Sequence, residues 1–206
     1  MLKYPALVIS VVFQPLLIPT LVFGLILYAV PEATSIPAEF KVRIFFLILL
    51  STLLIPMITI IGLRLSGTLK SLHMKEIQDR VIPFSITSVY YLLTVYFLYQ
   101  KTELDPILWQ ALSLMTVAVI GLTAITFFWK MSAHMTAAGG LLAVVLVLGF
   151  KFHTFQVLYP LILSLLLVGA IGSSRLYLEA HKPIEIYVGL FFGFLICFFG
   201  FNWIWA

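Results

Sequence analysis

The sequence predicts an all-α, polytopic membrane bundle of six or seven transmembrane helices, and three observations carry that prediction. Charge is scarce: the 206 residues hold 12 Lys+Arg and 8 Asp+Glu, while 63% of positions are hydrophobic and mean hydropathy is +1.16. Soluble domains carry roughly 25% charged residues, so this chain cannot furnish a polar skin. An ordinary soluble enzyme, a disordered tail and a nucleic-acid-binding module are thereby excluded, despite the formal net charge of +4. The charges are also clustered, and they leave seven uncharged runs at 4–31, 44–63, 81–100, 106–129, 135–150, 152–174 and 186–206. Finally, these runs are continuous rather than alternating, which suits helices of about 20 apolar residues rather than a membrane barrel.

The start of the chain reads MLKYPALVISVVFQPLLIPTLVFG, one lysine and then a long apolar stretch with Pro15 and Pro19 inside it and no small-residue cleavage region, so a first membrane helix is expected rather than a cleaved signal. The second ends at Arg64, where the longest hydrophilic stretch, 64–80, begins. The third opens with Pro83 and serines, and the fifth is short, which is why the count stands at six or seven. The chain reads as a single transmembrane domain over 1–206, and Cys197, its one cysteine, allows no intrachain disulfide or Cys-based metal site. If all seven runs cross, the N-terminus and the loops 64–80, 130–134 and 175–185 share one face. That face holds Lys3, Arg64, Lys70, Lys75, Arg80, Lys130, Arg175 and Lys182; the other holds Lys41, Arg43, Lys101 and Lys151. Counted whole, the tally puts the first face in the cytoplasm. With Lys75, Arg80, Lys130 and Arg175 set aside as site residues, it becomes a tie.

Three polar groups on that face carry chemistry. In SLHMKEIQDRVIP, Lys75 and Asp79 are four apart, as are Glu76 and Arg80, so a helical turn would be laced by ion pairs, with Pro83 starting the next membrane helix. The turn reads either as an interfacial anchor or as a Lys and an Arg offered to an anion. In FFWKMSAHMTAAGG, Ser132 suits a helix N-cap, which leaves backbone N–H groups near Ala133 and His134 as an anion site, with Lys130 beside them. In GSSRLYLEAHKPIEIYVG, His181 and Glu185 are one helical turn apart, so the carboxylate can fix the imidazole tautomer and leave one nitrogen lone pair free. Arg175 and Ser174 stand at the same edge. This cation-rich inventory suits a phosphate. Zinc ligation by the histidines with Glu76, Asp79 or Glu185 is the electrostatically awkward alternative.

These residues resemble the motifs of the phosphatidic acid phosphatase type 2 superfamily. Ser174-Arg175, five residues and then His181 is similar to its third motif, SRxxxxxHxxxD, with Glu185 where the family has Asp. Ser132-Ala133-His134 resembles its second motif, PSGH, with Met131 in place of the proline and Ala133 in place of the glycine. Arg80 matches the arginine of the first motif, KxxxxxxRP; here the proline is Pro83, Lys75 stands five residues before the arginine, and His73 stands seven before. The resemblance covers about residues 70–190, a phosphatase-like core.

The resemblance implies a metal-independent lipid phosphatase without cofactor. His181 would attack phosphorus and form a phosphohistidine, with Glu185 orienting it. His134 would protonate the leaving oxygen and then activate water. Arg80, Arg175, Ser132, Lys75 and the Ala133 amide would hold the phosphoryl oxygens, with His73, Lys130 and Ser174 as further candidates. The implied partners are a lipid phosphate or polyprenyl (pyro)phosphate substrate and the surrounding membrane lipids, with no nucleic acid and a homo-oligomer left open. The implied setting is the bacterial inner membrane, with the site facing the extracytoplasmic side. The residues themselves leave three rivals open: a headgroup binder or transporter without turnover, a structural membrane subunit, and a metal-dependent hydrolase.

Overall fold

The computed structural model describes residues 3–69, 71 and 77–204, and within them seven helices are long and apolar enough to cross a membrane. They are α1 (Lys3–Ala29), α2 (Ala38–Leu65), α3 (Gln78–Tyr99), α4 (Pro106–Thr126), α5 (Ala133–Phe152), α6 (Phe155–Tyr177) and α7 (Pro183–Ile204). The protein is therefore an all-α polytopic bundle, and the runs at 81–100 and 135–150 both belong to full-length helices.

Several helix starts follow from the sequence. Asp105 caps α4, accepting from the Ile107 N–H at 3.1 Å with Pro106 in the first helical position, and it also accepts from the Ser35 N–H at 3.1 Å, tying the α1–α2 connection to α4. Ser132 caps α5 as its residue type predicts. Proline opens α7, where its missing N–H costs nothing. Inside the helices, Thr87, Ser88, Thr94, Thr116 and Thr126 each return their hydroxyl to the carbonyl four residues back, so no hydroxyl among them meets apolar surroundings unpaired.

The structure corrects three expectations. Pro83 does not start α3: the helix begins at Gln78 and holds Pro83 within it. A proline this close to the start forfeits one bond only, the one to the Asp79 carbonyl, and the extra turn brings Arg80 into the helix. The second helix begins at Ala38, six residues ahead of the uncharged run, and takes up Glu39, Lys41 and Arg43. Lys41 is accommodated because its Nζ donates to the Leu27 carbonyl at 2.8 Å, close to the end of α1. Finally, α1 is not continuous. Its first half, Lys3–Val12, stops ahead of Gln14, whose backbone is extended (φ −66, ψ 153), and a short 3-10 turn at Pro15–Leu17 restarts it. The restriction that Pro15 places on the residue before it accounts for the break.

The centre of the bundle is α5, most of whose side chains are buried, and its main partner is α7. Their contact is a backbone approach. A Cβ on Gly193 would collide with the Thr136 carbonyl, and one on Gly139 with the Leu190 carbonyl. Gly189 and Gly193 form a GxxxG pair on α7, the small-residue pattern that lets membrane helices touch. The large apolar core, which includes Phe23, Ile48, Tyr91, Leu108, Val144 and Phe201, lies along α1 to α5 and α7, with Val157 added from α6. A smaller cluster of Met135, Ala138, Ile171 and Ile186 lies near the first turns of α5 and α7.

Replacing Gly193 with valine is expected to lower thermal stability in detergent by about 1–3 kcal/mol or to abolish folding, because backbone cannot yield to the added methyls. Gly62→Ala, where an added Cβ meets nothing within 4 Å, leaves the unfolding midpoint in place. Equal loss in both variants, measured by thermal unfolding, would refute the close-contact account.

Candidate active site

Four helix ends meet at one end of the bundle. The start of α3 supplies Arg80, the start of α5 supplies Ser132, Ala133 and His134, the end of α6 supplies Ser174 and Arg175, and the start of α7 supplies Glu185, with His181 in the turn just before it. Two helices separate each loop from the next, so all three loops fall on the same side.

The turn between α6 and α7 is built from its own backbone. The Ala180 N–H bonds the Arg175 carbonyl at 3.1 Å and the Glu179 N–H bonds the Leu176 carbonyl at 2.9 Å, a Schellman closure with Glu179 left-handed at φ 51. That sharp reversal returns the chain towards Arg175 and sets His181 before Pro183. Glu185 then takes the third position of α7. Its Oε2 accepts from the Lys182 N–H at 3.3 Å, half of a capping box, and from His181 Nδ1 at 2.7 Å. One carboxylate thus caps the helix and orients the imidazole. The Nδ1–H tautomer leaves the lone pair on Nε2.

The α5 start is locked to the same turn: the Ser132 N–H bonds the Glu185 carbonyl at 3.2 Å. Ser132 is fully buried; its Oγ accepts from the Met135 N–H at 3.4 Å and its carbonyl from the Thr136 N–H at 2.9 Å. The N–H groups of Ala133 and His134 are left without an intrahelical acceptor. Arg80 is 4% exposed and donates Nη1 to the Met131 carbonyl at 3.1 Å. His181 is 7% exposed, and the charges of Arg80, Arg175 and Lys130 act on it together with His134. Burial, first, and then those cations push the His181 imidazole down to about 2, so it is neutral and its Nε2 lone pair is available across the physiological range.

The structure therefore brings together His181, Glu185, His134, Ser132, Ala133, Arg80, Arg175 and Lys130. Ser174 is buried nearby, but its hydroxyl turns back to the Ala170 carbonyl at 2.7 Å. Lys75, His73 and Glu76 lie outside the described residues, and with them the expected pairs to Asp79 and Arg80. His153 closes the opposite end of α5 and takes no part. One participant was not anticipated. Ser10, on the first half of α1, accepts His134 Nε2 on its carbonyl at 3.0 Å and Arg175 Nη1 on its hydroxyl at 3.2 Å. Its signal in the sequence is slight, a hydroxyl in an apolar run a few residues ahead of Pro15. Arg175 Nε, also buried, has no hydrogen-bond partner.

Buried Arg80, half-buried Arg175 and Lys130, two imidazoles and the first N–H groups of α5 gather at this end of the bundle, a donor-rich chemistry of the kind that suits an anion. Comparisons with family models, with curated proteins and with solved structures each find no match.

Because neighbouring cations add to burial in holding His181 neutral, removing one eases its protonation. In Lys130→Met the His181 titration moves to higher pH than in the unmodified protein, as read by NMR of ring-labelled histidine in micelles. An unmodified His181 titrating near the ordinary 6.5 would contradict this electrostatic account.

Proposed function

We propose that the protein is a membrane-embedded, metal-independent hydrolase that removes phosphate from a lipid phosphate or pyrophosphate through a phosphohistidine. One observation carries the reading: a neutral histidine oriented by Glu185 lies within the field of Arg80, Arg175 and Lys130, beside the open N-terminus of α5. The resemblance of the same residues to the phosphatidic acid phosphatase type 2 motifs supports it.

In this reading the His181 Nε2 lone pair forms a bond to phosphorus as the bond to the lipid oxygen breaks, and the leaving oxygen takes a proton from His134. Water then attacks the phosphohistidine, His134 takes the water proton, and inorganic phosphate leaves with the His181 lone pair restored. Arg80 and Arg175, with the Ala133 and His134 N–H groups, face the charge on the equatorial oxygens. Lys130 adds to that field, Lys75 and His73 remain further candidates for it, and Ser132 acts by capping α5. The lipid tail remains among the apolar helices, so the headgroup alone enters the polar end. A bacterial inner membrane with the site on the extracytoplasmic side is part of the proposal; it follows the resemblance, and the tally of basic residues is neutral once site cations are set aside.

A second reading, a headgroup binder or transporter without turnover, is favoured by the bond from His134 Nε2 to Ser10, which keeps that nitrogen from proton transfer while it lasts.

Reconstituted protein in chelator is expected to release inorganic phosphate from phosphatidate or a polyprenyl pyrophosphate, and rapid acid-free denaturation traps labelled phosphohistidine. His181→Ala abolishes both, by about 10³-fold or more in rate. Release of phosphate undiminished in that variant would refute the mechanism; phosphate-analogue binding without any release would favour the second reading. Orientation has its own test. Lys182 is exposed and native Cys197 is buried, so Lys182→Cys should react with an impermeant thiol reagent on intact cells. Labelling only after permeabilisation would reverse the assignment.

A further inference from the structure

The interrupted first helix has a feature that the hydrolase reading does not require. The half-helix Lys3–Val12 buries only Ala6 and Ser10, while Tyr4, Leu7, Val8, Val11 and Val12 stay exposed on its outer side. It packs along α6, and Ile9 and Phe13 rest on the cluster formed by Met135, Ala138, Ile171 and Ile186. Its single buried polar residue meets two residues of the candidate site at once.

The break at Gln14 explains how a backbone carbonyl becomes available to do this. In a continuous helix the Ser10 carbonyl would accept the Gln14 N–H. Pro15 disfavours helical backbone at Gln14, which is extended at ψ 153, and the last intrahelical bond recorded there is Phe13 N–H to the Ile9 carbonyl at 2.9 Å. Ser10 is left among the terminal carbonyls that need an outside donor. His134 supplies it at 3.0 Å. Because a carbonyl can only accept, the contact selects the Nε2–H form of His134 and leaves Nδ1 as the basic nitrogen. The Ser10 hydroxyl meanwhile anchors one end of the Arg175 guanidinium, and the buried Nε of that same group stays unpaired. A fork held at one nitrogen with another donor vacant is poised for an acceptor oxygen.

We propose that Ser10 is a positioning residue of this site: its carbonyl, freed by Pro15, fixes the tautomer of His134, and its hydroxyl aims Arg175 at the phosphoryl oxygens. The assignment rests on the phosphoryl-transfer reading for the work that His134 and Arg175 do. It makes the first half of α1 part of the site, and it assigns Nδ1 of His134 as the atom that carries the transferred proton.

The test separates the two halves of the role and does not depend on turnover alone. Long-range proton–nitrogen spectra of ring-labelled histidine in micelles should show His134 as the Nε2–H tautomer. Pro15→Ala lets Gln14 become helical and compete for the Ser10 carbonyl, so the tautomer mixes and kcat falls while KM changes little. Ser10→Ala keeps the carbonyl and loses the anchor, so orthovanadate binds about tenfold more weakly and KM rises in step, and Ser10→Thr restores both to within about twofold. An Nδ1–H tautomer in the unmodified protein, or unaltered vanadate affinity in Ser10→Ala, would overturn the proposal. If the unmodified protein releases no phosphate yet tautomer and vanadate affinity respond as described, the hydrolase reading falls and the positioning role stands for a binding site.

Discussion

The contact between α5 and α7 is the constraint on which the rest depends. Lipid supplies no hydrophobic drive to bring two apolar helices together, so they associate by close packing and by interhelical bonds. Here the packing reaches backbone against backbone, with Gly193 beside the Thr136 carbonyl and Gly139 beside that of Leu190. The same register continues to the helix ends, where the Ser132 N–H meets the Glu185 carbonyl at 3.2 Å. Two helix N-termini are thus aligned side by side, and the residues at their first turns, His134 and Glu185, inherit positions that no loop alone could hold. Gly189 serves the same end, since a Cβ there would press on the Ser132 carbonyl at 2.8 Å.

That alignment concentrates positive charge where water is scarce. Arg80 and Arg175 would each be costly in an apolar setting unless bonded, and each has found a protein acceptor: the Met131 carbonyl for one, the Ser10 hydroxyl for the other. Glu185 supplies the nearby negative charge, yet its Oε2 is already shared between His181 and the Lys182 N–H. Both arginines are thus held by hydrogen bonds at this end of the bundle, with Glu185 close enough to act on the charge of Arg80. Strain is stored in the same place. Glu179 holds a left-handed backbone that costs a non-glycine residue roughly 1–2 kcal/mol, and the turn it closes is what brings His181 back over Arg175.

Much of this was legible in the sequence, for identifiable reasons. Charge scarcity marks the class, and loop parity by itself puts Arg80, Ser132, Arg175 and His181 on one side. The spacing of His181 and Glu185 and the capping habit of Ser132 were local, and local signals survive folding. What escaped was non-local or depended on treating charge as a boundary. The start of α2 was hidden because Glu39, Lys41 and Arg43 interrupt the apolar run, although Lys41 is satisfied by a carbonyl of α1. Pro83 looked like a first residue because proline favours that place, but the helix tolerates it a turn later. Ser10 was invisible because its importance lies in partners 124 and 165 residues away.

The departures from the resembled motifs are the remaining physical question, and the backbone accounts for two of them. Glycine is indispensable only where a Cβ would clash or φ is positive. Ala133 is neither: it is the first residue of α5, its φ is not among the positive values, and its N–H remains without an intrahelical acceptor. Methylation at that position therefore removes nothing that an anion would use. Glu185 in place of aspartate is likewise matched to its location. At the third position of a helix, a glutamate reaches back to the N–H ahead of the helix, and this one does so while its carboxylate still contacts His181 at 2.7 Å. The longer side chain joins helix capping and imidazole orientation in one group, so any substitution that shortens it would disturb the start of α7 together with the tautomer of His181.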